Sequence, residues 1–344
     1  VPGASVEVTG TTLRVSAPSG AALTSLGDLS VGPAAGVEVL VGHADLAGLS
    51  TIAGTFRTAT GTQSLRLAGS LDGTGSLSAG AVTTTGPLRI TGTAIDADML
   101  TLAGAGSVTN ATLSAVAATL GEGYAITGTA VDAAELTLEG PLALTGTSLS
   151  AGTALVDDVL TASASTLDAG TLTIGLAGVV PTGLAVAAGD GGLTVRGALF
   201  SEGLTSSGPV TVRGGALVLS GTSVFPSATV TNGALTLLGG TLDTALVELL
   251  GNGALLGSGT LTGDLANTAG LVSAGTSPGA LSVQDFVQGP DGTLLIELSG
   301  SAPLVAGVDY DQVEVRGNAT LDGTLRFLTL GDLDADGGLA IDPL

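Results

Sequence analysis

Acidic residues near the carboxyl end of the sequence have a spacing that suits calcium. Asp332, Asp334 and Asp336 alternate with apolar residues and are followed by a glycine. Carboxylates at loop positions 1, 3 and 5 with a glycine at position 6 form the first half of a calcium-binding loop. Pro343 stands where such a loop needs its closing glutamate. The pattern therefore predicts either a calcium site or a solvated acidic tail.

Threonines form a second candidate site. Thr-Gly-Thr occurs three times at one place in the repeat described below: Thr91 with Thr93, Thr127 with Thr129, and Thr145 with Thr147. A flat ladder of Thr-x-Thr is similar to the surface by which ice-binding β-solenoids present regularly spaced hydroxyl and methyl groups. Because threonine is also a favourable exposed strand residue, a purely structural ladder is the other interpretation.

Catalytic groups are few in this sequence. His43 is the only histidine, which excludes His-based triads and multi-histidine metal sites, and we expect it to lie in a turn beside Asp45. Glycoside hydrolysis needs two carboxylates held close together. Such pairs exist at Asp96/Asp98, Asp157/Asp158 and Asp309/Asp311. With two tyrosines and no tryptophan, however, the usual sugar-stacking cleft is missing, so we predict that the protein is not an enzyme.

The chain that must position these residues repeats itself. The segment from Ile90 to Gly104 returns from Ile126 to Gly140 with only four substitutions, and half of that offset also places apolar residues in register. An alanine recurs once in every such half-offset: Ala97, Ala115, Ala133, Ala151 and Ala169. A fixed period of about 20 residues with aligned apolar positions is typical of a solenoid, in which each coil buries its face against its neighbours.

Strands rather than helices fill these coils. Apolar residues alternate in twos, as at Leu136 and Leu138, and Gly, Thr and Val are abundant. We therefore predict an all-β fold, a right-handed parallel β-helix with about 18–20 residues per coil. The register divides the chain into irregular N-terminal coils and a cap (1–67), a regular solenoid (68–280) and a C-terminal end with an acidic tail (281–344).

Composition excludes several function classes. The formal net charge is −22, and all eight basic residues are arginine. A nucleic-acid partner needs a basic surface that displaces counterions from phosphate, so nucleic-acid binding is excluded. No apolar run reaches the roughly 18 residues that span a membrane. The first residue is Val1 rather than methionine, which is consistent with a processed, secreted protein.

The C-terminal part resembles a known bacterial repeat. Gly257–Gly263, Gly275–Gly279, Gly292–Glu297 and Asp311–Gly323 follow the patterns G-x-G-x-L-x-G, G-x-[ST]-P-G, G-x-L-x-I-E and D-x-[LV]-x-V-x-G-x-A-x-L-x-G in order. These elements are similar to the passenger-associated repeat of autotransporters and of β-helical bacterial surface adhesins. The resemblance extends from the first of these elements to the last and does not reach the N-terminal half. It implies a secreted β-helix of adhesive or structural use.

Taken together, these features predict a secreted structural or adhesive protein of a bacterial cell surface. Open strand edges at a solenoid end favour pairing with another chain, so we expect end-to-end self-association into a filament. A glycan- or ice-binding module is the alternative, and a carbohydrate-active enzyme is third. We expect no cofactor other than calcium, no nucleic-acid partner and no membrane insertion by this chain.

Overall fold

The computed structural model describes residues 6–15, 23–26, 28–40, 43–46, 48–58, 64–181, 183–275, 278–299 and 304–330. Within these ranges the protein is all-β, and no described residue is helical. Parallel strands stack coil on coil into a β-solenoid. The predicted fold class is therefore confirmed, and the right-handed sense of the coil stays a prediction.

The chain divides into two compact units. The first comprises 1–193 with 197–201, and the second comprises 194–196 with 202–344. The predicted boundaries at residues 67 and 280 separate coils by their regularity rather than by compactness, and they stay a prediction.

The first unit is built from short strands that pair with the strand one coil away. They are β1 (Val6–Val8), β2 (Thr12–Val15), β3 (Leu23–Leu26), β4 (Leu29–Val31), β5 (Gly36–Val39), β6 (His43–Leu46), β7 (Leu49–Ile52), β8 (Thr55–Thr58), β9 (Ser64–Asp72), β10 (Ser76–Thr91), β11 (Ala94–Leu102), β12 (Gly106–Thr109), β13 (Thr112–Leu120), β14 (Tyr124–Thr127), β15 (Ala130–Leu138), β16 (Leu142–Thr145), β17 (Ser148–Val156), β18 (Leu160–Ser163), β19 (Ser165–Ile174), β20 (Val179–Val180), β21 (Leu184–Val195) and β22 (Ala198–Ser201). The last two residues of β21 belong to the second unit.

The second unit has the same construction. Its strands are β23 (Leu204–Ser206), β24 (Val210–Arg213), β25 (Ala216–Leu219), β26 (Thr222–Val224), β27 (Ser227–Thr231), β28 (Ala234–Asp243), β29 (Leu246–Leu250), β30 (Ala254–Leu261), β31 (Asp264–Asn267), β32 (Leu271–Ala274), β33 (Ala280–Val283), β34 (Phe286–Gln288), β35 (Thr293–Ser299), β36 (Gln312–Val315), β37 (Ala319–Leu321) and β38 (Thr324–Leu330).

The period of the sequence is the physical repeat of the regular coils. Ala94 of β11 pairs with Thr112 of β13, and Thr112 pairs in turn with Ala130 of β15, so both steps equal one sequence period. Elsewhere the coils are longer. Thr12 pairs with Gly36 near the N-terminus, and Thr293 pairs with Thr324 near the C-terminus. The predicted period therefore holds for the regular coils, whereas longer coils occur near both ends of the chain.

The core is a stack of aliphatic columns. Side chains of one column repeat in every coil, as at Ile95, Leu113 and Val131, all at most 2% exposed. The constant alanines also form one column, and their backbones pair in register from Ala97 to Ala169. Like side chains stack at the strand spacing of about 4.8 Å, which buries each coil against the next.

Candidate functional surfaces

The first threonine of each Thr-Gly-Thr segment lies at the surface. Thr91, Thr127 and Thr145 end β10, β14 and β16, and backbone pairing aligns them in one column with Thr109 of β12. Ser163 continues the column in the next coil. The hydroxyl oxygen of Thr91 is buried. Thr109 is half-buried and the later members are exposed, so the column presents a single row of hydroxyl groups from Thr109 onward.

The second threonine of each segment is buried, which corrects the expectation of a double surface row. Thr93, Thr129 and Thr147 are at most 2% exposed. The glycine between the two threonines is left-handed, with a φ of 56° at Gly146. This conformation turns the chain at a coil corner and interrupts the outward–inward alternation of a strand, so the second side chain points into the core.

The buried hydroxyl groups bond the backbone at these corners. The hydroxyl of Thr147 donates to the carbonyl oxygen of Ile126 at 2.9 Å, and the amide of Thr147 donates to the hydroxyl of Ser165 at 3.2 Å. The hydroxyl of Thr93 donates to the carbonyl oxygen of Gly73 at 3.2 Å. Buried polar groups need such partners, so these threonines are structural.

We expect Thr147→Val to lower the free energy of unfolding by about 1 kcal/mol, because it removes a buried hydrogen bond at nearly constant volume. Thr145→Val is the matched control, since it makes the same change at the exposed end of the same segment, and it should change stability by less than about 0.5 kcal/mol. Urea denaturation of both variants measures the difference. Equal losses would contradict the structural role of Thr147.

Acidic and hydroxyl side chains alternate along another outer column of the first unit. This Ser/Asp column consists of Ser78, Asp96, Ser114, Asp132, Ser150 and Asp168, which are aligned by backbone pairing in consecutive coils. The carboxylates occupy every second coil, so they are about 10 Å apart. That distance is about one Debye length in ordinary salt, and repulsion between them is therefore largely screened.

Toward the N-terminus the same column carries alternating charge. Arg14, Glu38 and Arg57 are aligned below Ser78 by backbone pairing. Glu38 forms ion pairs with both arginines, at 2.8 Å to Nε of Arg14 and 2.9 Å to Nη2 of Arg57. The arginine side chains remain 70% and 60% exposed, so each guanidinium keeps donors directed to solvent.

The last described coil, β36 to β38, exposes side chains of its inner face. Leu321, Leu325 and Phe327 are 59%, 54% and 62% exposed. Leu294, which pairs with Leu325 from the preceding coil, is 8% exposed. The inner columns of the second unit therefore end, within the described residues, in an uncovered apolar row.

The carboxylate pairs considered as catalytic groups lie in unlike surroundings. Asp96 and Asp98 are both exposed, with Asp96 in the Ser/Asp column. Asp311 is buried, and its carboxylate accepts the amide hydrogens of Gly279 at 2.8 Å and Glu297 at 3.0 Å. Burial raises the pKa of Asp311, and these two amide bonds lower it in part. Asp311 is therefore a structural residue that binds two backbone amides.

His43 is the first residue of strand β6 and does not lie in a turn, which corrects that expectation.

A shallow cleft of about 370 Å³ lies on β15, β17 and β19. Its polar lining comes from Glu135, Thr137, Thr153, Thr171 and Thr173. One carboxylate and a row of hydroxyl groups can hydrogen-bond a polar ligand, but the lining holds no aromatic ring on which a sugar would stack. Of the two tyrosines, Tyr124 is in the core, and burial raises the pKa of its phenol.

The predicted calcium ligands Asp332, Asp334 and Asp336 lie outside the described residues. Among the residues that the structure does describe, no group of three or more His, Cys, Asp or Glu side chains is arranged to hold a metal ion. The described ranges also contain no helix long and apolar enough to cross a membrane.

No protein-family model, curated protein or solved structure matches the chain. The resemblance to the passenger-associated repeat therefore rests on the sequence pattern of the C-terminal part.

Proposed function

We propose that this chain is a structural subunit of a bacterial cell surface, secreted to the extracellular side, which associates end to end into a filament. The observation that carries the proposal is the uncovered row of Leu321, Leu325 and Phe327 on the last described coil. Exposed apolar side chains favour association, since each square ångström removed from water contributes about 25 cal/mol.

Strand edges support the same proposal. A strand at the end of a sheet presents unpaired amide and carbonyl groups that another chain can pair with. In the first unit, β2 pairs with β5 on one side, and its residues Thr12, Leu13 and Arg14 are exposed. In the second unit, β38 pairs with β35 and carries Leu325 and Phe327. The edge strand β2 of a second copy could therefore pair with β38, and the apolar side chains of β38 would be covered in that contact.

Negative-stain electron microscopy and sedimentation velocity, with and without calcium, test this proposal. We expect wild-type protein to form end-to-end assemblies that lengthen with concentration. Leu325→Asp should shorten them at least 10-fold, because it places a charge in the apolar row. Leu238→Asp is the matched control, since Leu238 is 49% exposed but does not lie at an end. Single particles under every condition would overturn the proposal.

Adhesion to a glycan or another cell-surface ligand is the second candidate function. The Ser/Asp column favours it, because hydroxyl and carboxylate groups repeated in register can bind a polymer with a regular repeat. Binding to purified cell-wall glycans, lost on replacing Asp132 and retained on replacing Asp243, would support it. We do not extend the proposal to ice, because the buried second threonines leave no double row of surface hydroxyl groups.

A further inference from the structure

We propose that one face of the first unit is a self-complementary interface, on which a second copy of the chain binds in antiparallel orientation. The face is the Arg–Asp face, defined as Arg14, Glu38, Arg57, Ser78, Asp96, Ser114 and Asp132 in seven consecutive coils. This face shares no residue with the uncovered last coil. The proposed dimer can therefore be tested independently of end-to-end assembly.

When two copies of this column run in opposite directions, positive side chains of one copy lie opposite negative side chains of the other. A two-fold axis through Ser78, perpendicular to the column, places Arg57 opposite Asp96 of the second copy and Arg14 opposite Asp132. The opposite positions are equally spaced, because Arg14 and Arg57 are two coils apart, as are Asp96 and Asp132. Glu38 then faces Ser114 of the second copy, and Ser78 faces Ser78 of the second copy. The arrangement forms four ion pairs and sets no like charges opposite each other.

The arginines are able to make these contacts. Glu38 engages Nε of Arg14 and Nη2 of Arg57, and it is itself only 8% exposed. A guanidinium has five N–H donors, so each arginine can bond Glu38 and a carboxylate of the second copy together. The intrachain ion pairs also restrict the arginine side chains, which reduces the entropy lost on binding.

Apolar side chains match under the same symmetry. Val116 lies two residues beyond Ser114, and Leu40 lies two residues beyond Glu38. Since Ser114 faces Glu38, Val116 faces Leu40 of the second copy. Both side chains are exposed in the single chain, at 59% and 42%. An exposed valine and an exposed leucine that meet across the axis exclude water beside the ion pairs.

The positions that precede the column in sequence permit close approach. Two residues before the column, Thr12 faces Ala130, Gly36 faces Thr112, and Thr55 faces Ala94, all uncharged. A concavity of about 250 Å³ lies on the N-terminal half of the face and can receive the second copy. Its lining includes Thr12, Gly36, Glu38, Thr55, Arg57, Ser76 and Ser78.

The size and charge of the face indicate a weak, salt-dependent dimer. Seven coils at about 4.8 Å and five strand residues at about 3.3 Å span roughly 550 Å² per copy. This area is at the low end for specific interfaces, and charge complementarity at such sizes mainly determines orientation. Because the two-fold pairing uses one patch on both copies, it closes as a dimer.

Charge reversal combined with mixing tests the proposal. The variant Asp96→Arg/Asp132→Arg opposes arginine with arginine, and we expect its dimerisation to weaken at least 10-fold in sedimentation velocity at low salt. The variant Arg14→Glu/Glu38→Arg/Arg57→Glu keeps alternating charge within the chain but opposes acid with acid, so it too should be monomeric. An equimolar mixture restores all four opposite-charge pairs and should dimerise as wild type does. Asp168→Arg is the matched control, because Asp168 faces no arginine in this pairing, and it should dimerise normally.

A disulfide provides a second readout. The chain has no cysteine, so Leu40→Cys/Val116→Cys should give a covalent dimer under mild oxidation, whereas each single variant should not. All measurements use the Leu325→Asp background, which removes end-to-end contacts. A monomer at all concentrations, equal effects of the Asp96/Asp132 and Asp168 reversals, or no recovery on mixing would each overturn the Arg–Asp face. Filaments of wild-type protein would still support the proposed function in that case.

Discussion

Replacement of Asp311 by alanine is expected to lower the free energy of unfolding of the C-terminal coils by about 3–5 kcal/mol, because alanine leaves one buried and one half-buried amide without a partner. The carboxylate accepts the amide hydrogens of Gly279 and Glu297, and Asp311 is 3% exposed. Hydrogen bonds to a charged acceptor contribute about 1.5–3 kcal/mol each. Urea denaturation gives the loss, and hydrogen exchange of Gln312–Val315 locates it.

Asp309→Ala is the control for this change. Asp309 accepts the amide hydrogen of Val305 at 2.8 Å in the same loop, but that bond is at the surface. Solvent replaces it on deletion, so the loss should be below about 1 kcal/mol. Similar losses for the two variants would show that Asp311 does not hold the coil together.

The pKa of Asp311 adds a pH dependence of known sign. Burial raises the pKa of this carboxyl in the folded protein, and the amides of Glu297 and Gly279 offset only part of the rise. The folded state then holds the proton more tightly than the unfolded state, whose pKa is about 3.9. The resulting stability is fully present below that unfolded value and is lost as the pH rises through the folded pKa. The stability of wild type relative to Asp311→Asn should therefore be greater at pH 3 than at pH 7.

Asp311 also gives a physical reason for the C-terminal sequence pattern. Gly279 closes the G-x-[ST]-P-G element, Glu297 ends the G-x-L-x-I-E element, and Asp311 opens the last element. These residues are far apart in the sequence, and the carboxylate joins them through backbone hydrogen bonds. Pattern matching identified the three elements, but the contact itself depends on the path of a long loop and could not be derived from spacing.

The regular coils were predictable because one short-range rule repeats in them. A single constant offset aligned the alanines from Ala97 to Ala169, and the structure has the same alignment. The same offset contained the Ser/Asp column, since Asp96, Asp132 and Asp168 are separated by two periods. The signal for that column was therefore present in the sequence.

Corners and irregular coils were not predictable in this way. Two-residue alternation placed both threonines of each Thr-Gly-Thr segment outside, but the left-handed glycine between them directs the second one inward. The column of Arg14, Glu38 and Arg57 was also hidden, because the step from the first to the second is longer than the step from the second to the third. Coil length in this region depends on loops between strands, and a single period cannot follow it.

The second large effect is expected at Gly73, between β9 and β10. Gly73 has a φ of 134°, and a methyl group there would overlap the carbonyl oxygen of Ile52 in the neighbouring coil. A side chain at this φ costs about 1–3 kcal/mol, and the displaced backbone costs a similar amount. We therefore expect Gly73→Ala to lower the free energy of unfolding of the first unit by about 4 kcal/mol, the sum of these two costs.

Gly146→Ala separates the two causes of that loss. Gly146 is also left-handed, with a φ of 56°, but a methyl group there would meet no atom within 4 Å. The equivalent corner one coil later carries Ala164 at a φ of 50°, and two coils earlier it carries Asn110 at 52°. The corner thus accepts a side chain, and the variant should lose only about 1 kcal/mol. Thermal and urea denaturation measure both variants. A small loss at Gly73 would mean that adjacent coils can move apart there, and that close stacking of backbones does not limit the stability of the first unit.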